Sequence, residues 1–189
     1  MTDSAREDRR QATHLAMTSF ALTLRWLTAE QAAAMAAAAI VLNWVILPLT
    51  GRDLRRPGEP FVDGVKLYPV AILALVTFLP LPSAAAAWGV LGVGDAASNV
   101  VGRRFGTPPF LGRADRSLAG TAAFVALGGG AALGLGSFVA DLRPTLLAVA
   151  GSFAAAAAGA LAEFVPRRLR VDDNVPIAIA AGGVLYLLG

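Results

Sequence analysis

The 189-residue chain has no cysteine and a single histidine, His14. The first absence removes disulfides and thiolate metal sites, and the second removes zinc centres built on several imidazoles. A bound metal must therefore be held mainly by oxygen ligands, which favours Mg²⁺ or a similar hard cation. Charge is also scarce: Asp, Glu, Lys and Arg make up 15% of the residues against 56% apolar ones, and the mean hydropathy is +0.63. Those proportions are wrong for a water-soluble globule. No Gly-x-x-x-x-Gly-Lys-Ser/Thr pattern occurs, so a Walker phosphate loop is excluded.

What the chain does have is a series of long apolar segments. They predict an all-α, polytopic membrane bundle in one catalytic domain, 1–189, with about seven transmembrane helices near 12–28, 32–49, 67–81, 84–101, 117–139, 144–164 and 174–188. The third is short and edged by Pro69, Pro80 and Pro82, so it needs a thinned bilayer or burial against neighbours. A signal peptide competes for the first segment, but Arg25, His14 and the later segments favour a retained helix. Positive charge gives an independent test, because short cytoplasmic loops are rich in Lys and Arg. Arg6, Arg9, Arg10, Arg52, Arg55, Arg56, Lys66, Arg103, Arg104, Arg113, Arg116, Arg167, Arg168 and Arg170 fall on one side of this layout; only Arg25 and Arg143 fall on the other. The N-terminus is accordingly expected in the cytoplasm and the C-terminus outside. The pI of about 10.2 follows from scattered loop arginines, not from one basic face for nucleic acid. The segments are also rich in Ala and Gly, which let helices approach closely in lipid. Both long interior loops, 50–66 and 102–116, fall on the cytoplasmic side.

Four polar clusters interrupt this apolar background. Asp95 lies inside the segment 84–101, where a carboxylate at membrane depth costs at least ~2.5–3.5 kcal/mol. Helical spacing puts Asp95, Asn99, Gly102 and Gly106 near one stripe, with Arg103 and Arg104 at its mouth. A carboxylate for Mg²⁺ beside arginines for phosphate oxygens suits a nucleoside triphosphate; the alternative is a structural carboxylate satisfied by a neighbouring helix. The second cluster is Asp172-Asp173-Asn174, entering the last segment, with Glu163 within reach from the end of the sixth. Asn174 suits an ordinary N-cap, yet two adjacent carboxylates exceed what a cap needs. The third is Arg116-Ser117-Leu118-Ala119-Gly120, where Ser117 is either a plain N-cap or part of a phosphate-receiving helix start assisted by Arg116. The fourth pairs Arg10 with His14, whose near-neutral pKa suits proton abstraction from an alcohol. All four fall at helix ends on the cytoplasmic side.

Taken in order, Arg10-Gln11-Ala12-Thr13-His14, Gly94-Asp95 through Gly106, Arg116-Ser117-Leu118-Ala119-Gly120, Glu163 and Asp172-Asp173-Asn174 make the chain resemble the CTP-dependent polyprenol and lipid kinases, the family of dolichol kinase, phytol kinase and the yeast-type CTP-dependent diacylglycerol kinase. The chain carries Gln11 and Arg116 where that family often has Lys. The resemblance implies Mg²⁺-dependent transfer of the γ-phosphoryl group of CTP to a membrane lipid alcohol. The family's acidic and glycine positions fall on Asp95, Gly102, Gly106, Asp172 and Asp173, and its phosphate-loop positions on Ser117 and Gly120. Combined with the polar clusters above, this leads us to expect Asp95, Asp172, Asp173 and Glu163 as metal ligands, His14, Asp95 and Asp173 at the chemistry, and Arg10, Asn99, Gly102, Arg103, Arg104, Gly106, Arg116, Ser117, Gly120 and Asn174 around the nucleotide. A cytidylyltransferase making a CDP-lipid is the nearest rival, and the usual His-Gly-Gly and Asp-Arg-x-Asp signature of such enzymes is absent. A cation-coupled transporter is a more distant rival, because its site belongs near the midplane.

Overall fold

The computed structural model describes residues 3–49, 64–105, 109–110, 113–164 and 172–188. Each expected apolar segment coincides with one helical rod. The first rod is α1 (Asp3–Ser19) continued by a 3₁₀ stretch, Phe20–Trp26. Thr28 starts the second with a reciprocal cap: its hydroxyl accepts from the Gln31 N–H at 3.3 Å, and the Gln31 side chain accepts from the Thr28 N–H at 2.9 Å. That rod runs through α2 (Ala29–Val41), a π-helical turn (Leu42–Ile46) and α3 (Leu47–Leu49). The third is α4 (Gly64–Phe78). Lys66, expected on a loop, belongs to this helix and is 1% exposed. Pro80 and Pro82 open the fourth rod, where a helix needs no N–H donors. It comprises α5 (Leu81–Gly89), a π-helical turn (Val90–Gly94) and α6 (Asp95–Phe105).

The segment expected as the loop 102–116 instead begins with the last turn of α6 and ends in a small antiparallel hairpin, β1 (Pro109–Phe110) with β2 (Arg113–Ser117). The last three rods are α7 (Leu118–Ala140), α8 (Leu146–Ala162) and α9 (Asn174–Leu188).

Glycine sets the spacing at the centre. The fourth rod runs antiparallel to α7, and the backbones meet at Gly102 with Gly120 and at Gly94 with Gly128. A Cβ on Gly120 would lie 3.3 Å from the Gly102 Cα, and one on Gly128 would lie 3.1 Å from the Gly94 Cα. Between these crossings Phe124 is fully buried, its ring packed against Gly94 and Gly159. At the far end of α7, Arg25 donates to the Phe138 carbonyl at 2.8 Å and pairs with Asp141 at 2.7 Å, fastening the first rod to the helix C-terminus.

Large apolar side chains occur both inside the bundle, as at Trp88, Leu91, Phe124 and Ile177, and on its surface. Alanine dominates the buried core together with Gln11, His14, Thr18, Lys66, Asp95, Ser98, Ser152, Glu163 and Asn174, while large apolar side chains such as Leu49, Phe78, Leu146 and Leu187 point outward. Among the described residues two helical stretches, Ala29–Ile46 and Leu118–Ala140, are long and apolar enough by themselves to cross a membrane; Lys66–Phe78, Leu146–Ala162 and Asn174–Leu188 are shorter apolar helices.

Candidate functional site

The π-helical turn Val90–Gly94 ends at Asp95. Such turns are rare and recur where a helix must re-aim a functional side chain. Asp95 is 8% exposed and His14 is 7% exposed. The Asn99 amide donates to Asp95 Oδ1 at 3.0 Å and to the Asp95 carbonyl at 2.9 Å, one helical turn apart, so these two members of the expected stripe meet. The other carboxylate oxygen, Oδ2, faces His14 Nδ1 at 3.9 Å, too long for a hydrogen bond but within ion-pair range of an imidazolium.

His14 is held from behind by Tyr68, whose ring centroid lies 4.8 Å from the imidazole. The Tyr68 hydroxyl joins three rods: Trp88 Nε1 donates to it at 2.8 Å, and it lies 3.1 Å from Thr18 Oγ1. The Thr18 proton is already committed to the His14 carbonyl at 2.8 Å, so Tyr68 must be the donor to Thr18. Four groups thus form one directed chain, Trp88 to Tyr68 to Thr18 to the His14 backbone. Gly92 makes room for it, because a Cβ there would collide with Thr18 Oγ1 and lie 3.0 Å from the Tyr68 hydroxyl. Sequence reasoning passed over Thr18, Tyr68, Trp88 and Lys66. The available signal was thin: Lys66 is the chain's only lysine and Tyr68 one of two tyrosines, placed two residues apart before Pro69. The Lys66 ammonium sits 5.7 Å over the Trp44 ring, and the Trp44 indole donates to the Lys66 carbonyl at 3.0 Å.

A second layer is organised by Arg116. The hairpin delivers it to the start of α7, where its guanidinium binds Glu163 Oε1 at 2.7 Å and Asp173 Oδ2 at 2.6 Å. Its Nε is buried and has no hydrogen-bond partner among the described residues. Glu163 also faces the Ser98 hydroxyl at 3.5 Å, and that hydroxyl lies 3.1 Å from the Asp95 carbonyl. A continuous polar path therefore runs from Asp95 through Ser98, Glu163 and Arg116 to Asp173. Ser117 caps α7 by accepting from the Gly120 N–H at 3.1 Å, and Gly102 faces the same hydroxyl, since a Cβ there would lie 3.2 Å from Ser117 Oγ.

Of the expected site residues, the structure joins His14, Asp95 and Asn99 in one contact set, Glu163, Arg116 and Asp173 in another, and Gly102, Ser117 and Gly120 at the helix crossing between them. Asn174 is expected as the cap of the last helix, but it is the first residue of α9 and is itself capped. Asp172 Oδ1 accepts from the Asn174 N–H at 2.9 Å and from its amide at 2.6 Å, which engages Asp172 locally. Arg103 and Arg104 are exposed on the last turn of α6. Arg10 belongs to α1, with its side chain outside the described part, and Gly106 lies outside the described residues, as do positions 50–63 and 165–171. Arg116, expected to meet phosphate, has both terminal nitrogens engaged by carboxylates. Among the described residues no three acidic or histidine side chains are grouped so as to hold a metal ion. No family model, curated protein or solved structure matches the chain.

Proposed function

We propose that the protein is an integral membrane kinase that transfers the γ-phosphoryl group of CTP to the hydroxyl of a lipid alcohol of polyprenol, phytol or diacylglycerol type. The observation that carries this reading is the polar path that links buried His14 and Asp95, with half-buried Asn99, through Ser98 to Glu163, Arg116 and Asp173. Five separate segments of the chain supply that set.

Two features support a membrane setting with seven spans. Large apolar side chains face outward over an alanine and polar interior, the arrangement expected when lipid is the solvent. In addition, α7 has 23 residues and separates the Ser117 end from the Arg25–Asp141 clamp by about 34 Å, close to the ~30 Å of a hydrocarbon core. The candidate site then lies on the arginine-rich, cytoplasmic side.

Phosphoryl transfer is mostly positioning and charge neutralisation. Mg²⁺ on a nucleotide usually takes one or two protein carboxylates and the phosphates themselves, so the oxygen donors here suit it without a three-acid cage. Asp95, Asp172, Asp173 and Glu163 are the residues that would hold it, and it would neutralise charge on the triphosphate. Arg116 balances two carboxylates with one guanidinium. A triphosphate arriving beside it competes for the same nitrogens, which would release Asp173 and Glu163 as ligands. Asp95, with Asn99 fixing one oxygen, orients the other toward His14. His14 then receives the acceptor proton, while Arg103 and Arg104 stand at the mouth for the nucleotide.

The deciding experiment supplies purified protein in detergent with Mg²⁺, phytol, farnesol, a polyprenol or diacylglycerol, and CTP labelled at the α or γ position. γ-Label in the lipid is the expected result, abolished by Asp95→Asn with the fold retained. α-Label in the lipid with pyrophosphate release would replace the kinase with a cytidylyltransferase. Absence of both turnover and CTP binding would end either reading.

A further inference from the structure

The outward face of the bundle carries a groove of about 500 Å³ between α4 and α9, within the usual size of small-molecule sites. Its walls begin at Val70 and Val175 and end at Leu79 and Tyr186. Both walls start where the polar site stops. On α4, Val70 follows Tyr68, which packs on His14; on α9, Val175 follows Asn174 and Asp173, the latter gripped by Arg116. The α9 wall runs from Val175 to Tyr186, about 16 Å of helix, or roughly half the ~30 Å hydrocarbon depth. Its side chains are apolar throughout until the terminal Tyr186.

We infer that this groove holds the hydrocarbon chain of the alcohol whose hydroxyl lies at His14 and Asp95. The inference rests on the lipid kinase reading for its ligand class. A single linear molecule with one polar end and a long apolar remainder matches a polar cluster on the same two helical segments that, a residue or two further along, line an apolar trough. The middle of the trough is kept open by glycine, which puts no side chain into it. Gly182 sits against Leu75, where a Cβ would lie 3.0 Å away, whereas a Cβ on Gly183 would meet nothing within 4 Å and would point into open space. Gly183→Leu therefore fills the groove without disturbing the helix contacts. Gly134 on α7 is equally open but does not line the groove, so Gly134→Leu is the matched control.

The test is photolabelling of the full-length protein in lipid nanodiscs with a farnesol analogue bearing a diazirine near the tail end, followed by peptide mass spectrometry. Expected are saturable adducts on α4 and α9, competed by unlabelled farnesol. Gly183→Leu should raise the concentration for half-maximal labelling about tenfold or more, a change of about 1.4 kcal/mol in binding, while Gly134→Leu and CTP binding stay as in the wild type. Adducts spread over all lipid-facing helices, non-saturable labelling, or groove crosslinks to a second copy of the chain would overturn the inference. Saturable groove labelling in a protein that transfers no phosphate would leave the groove standing and remove the kinase. Phosphate transfer unchanged in Gly183→Leu, with no groove adducts, would do the reverse.

Discussion

The Tyr68 and Thr18 hydroxyls meet across the α1–α4 interface, 3.1 Å apart, and with the Thr18 proton on the His14 carbonyl it is Tyr68 that donates. Because the Tyr68 oxygen also accepts from Trp88 at 2.8 Å, one hydroxyl fixes the relative positions of three rods beside His14. Tyr68→Phe leaves a buried indole N–H without its acceptor, which costs about 1–3 kcal/mol. A lowered melting temperature in detergent is the expected outcome. Trp88→Phe in the same background should recover part of that loss, since removing both partners is milder than removing one. If Tyr68→Phe melts with the wild type, the chain of bonds does not carry the position of His14.

Arg116 and Glu163 form a buried pair, with side chains 11% and 1% exposed. Removing the guanidinium strands the carboxylate, a loss of about 3–5 kcal/mol. Arg116→Met should thus be strongly destabilising alone and much less so combined with Glu163→Gln. The double-mutant cycle, read from unfolding in mixed micelles, should give a coupling of at least ~1 kcal/mol. Additive losses would mean that the pair is not formed in the folded protein.

The Arg116 result shows where sequence reading reaches and where it stops. The helical rods were legible because apolar run length and the placement of arginines are both one-dimensional signals. Asp95 with Asn99, and Ser117 with Gly120, were legible because a helix brings residues three and four apart together. Arg116, Glu163 and Asp173 were each singled out, but nothing local says that one guanidinium bridges both acids. Tyr68 was harder still, because its partners Thr18 and Trp88 lie 50 and 20 residues away and no spacing rule links them. The turn Val90–Gly94 also escaped, because an added residue in a helix leaves no mark in an Ala- and Gly-rich sequence; it changes the face on which Asp95 emerges relative to α5. The hairpin β1–β2 lay hidden in a segment whose Gly, Pro and Arg content reads simply as loop.

Gly120 and Gly134 lie on the same helix and should respond oppositely to alanine. A Cβ on Gly120 would lie 2.8 Å from the Ser98 carbonyl oxygen, a backbone atom that cannot step aside. Gly120→Ala must push α6 from α7 and should cost about 1–3 kcal/mol, moving Ser117 off Gly102. Gly134→Ala meets nothing within 4 Å and should be neutral, or stabilising by up to ~1 kcal/mol. Thermal melts of the two variants decide it. Equal melting temperatures would show that the Gly102–Gly120 contact does not set the spacing.

The absence of cysteine makes the topology directly testable, because a single introduced thiol is the only one in the chain. Phe105, at the end of α6, is 69% exposed, and Leu142, just beyond α7, is 70% exposed. They lie at opposite ends of α7, about 34 Å apart along its axis. In sealed vesicles, Phe105→Cys should react with a membrane-impermeant maleimide only from the cytoplasmic face and Leu142→Cys only from the other. Exposed positions at the ends of helices tolerate such changes, so both variants should insert and melt as the parent does. Labelling of both from the same face would break the seven-span arrangement and the shared side it gives to the arginines and the carboxylates. Recovery of the protein in the soluble fraction without detergent would remove the membrane setting itself, and with it the reason for an alanine core under a leucine surface.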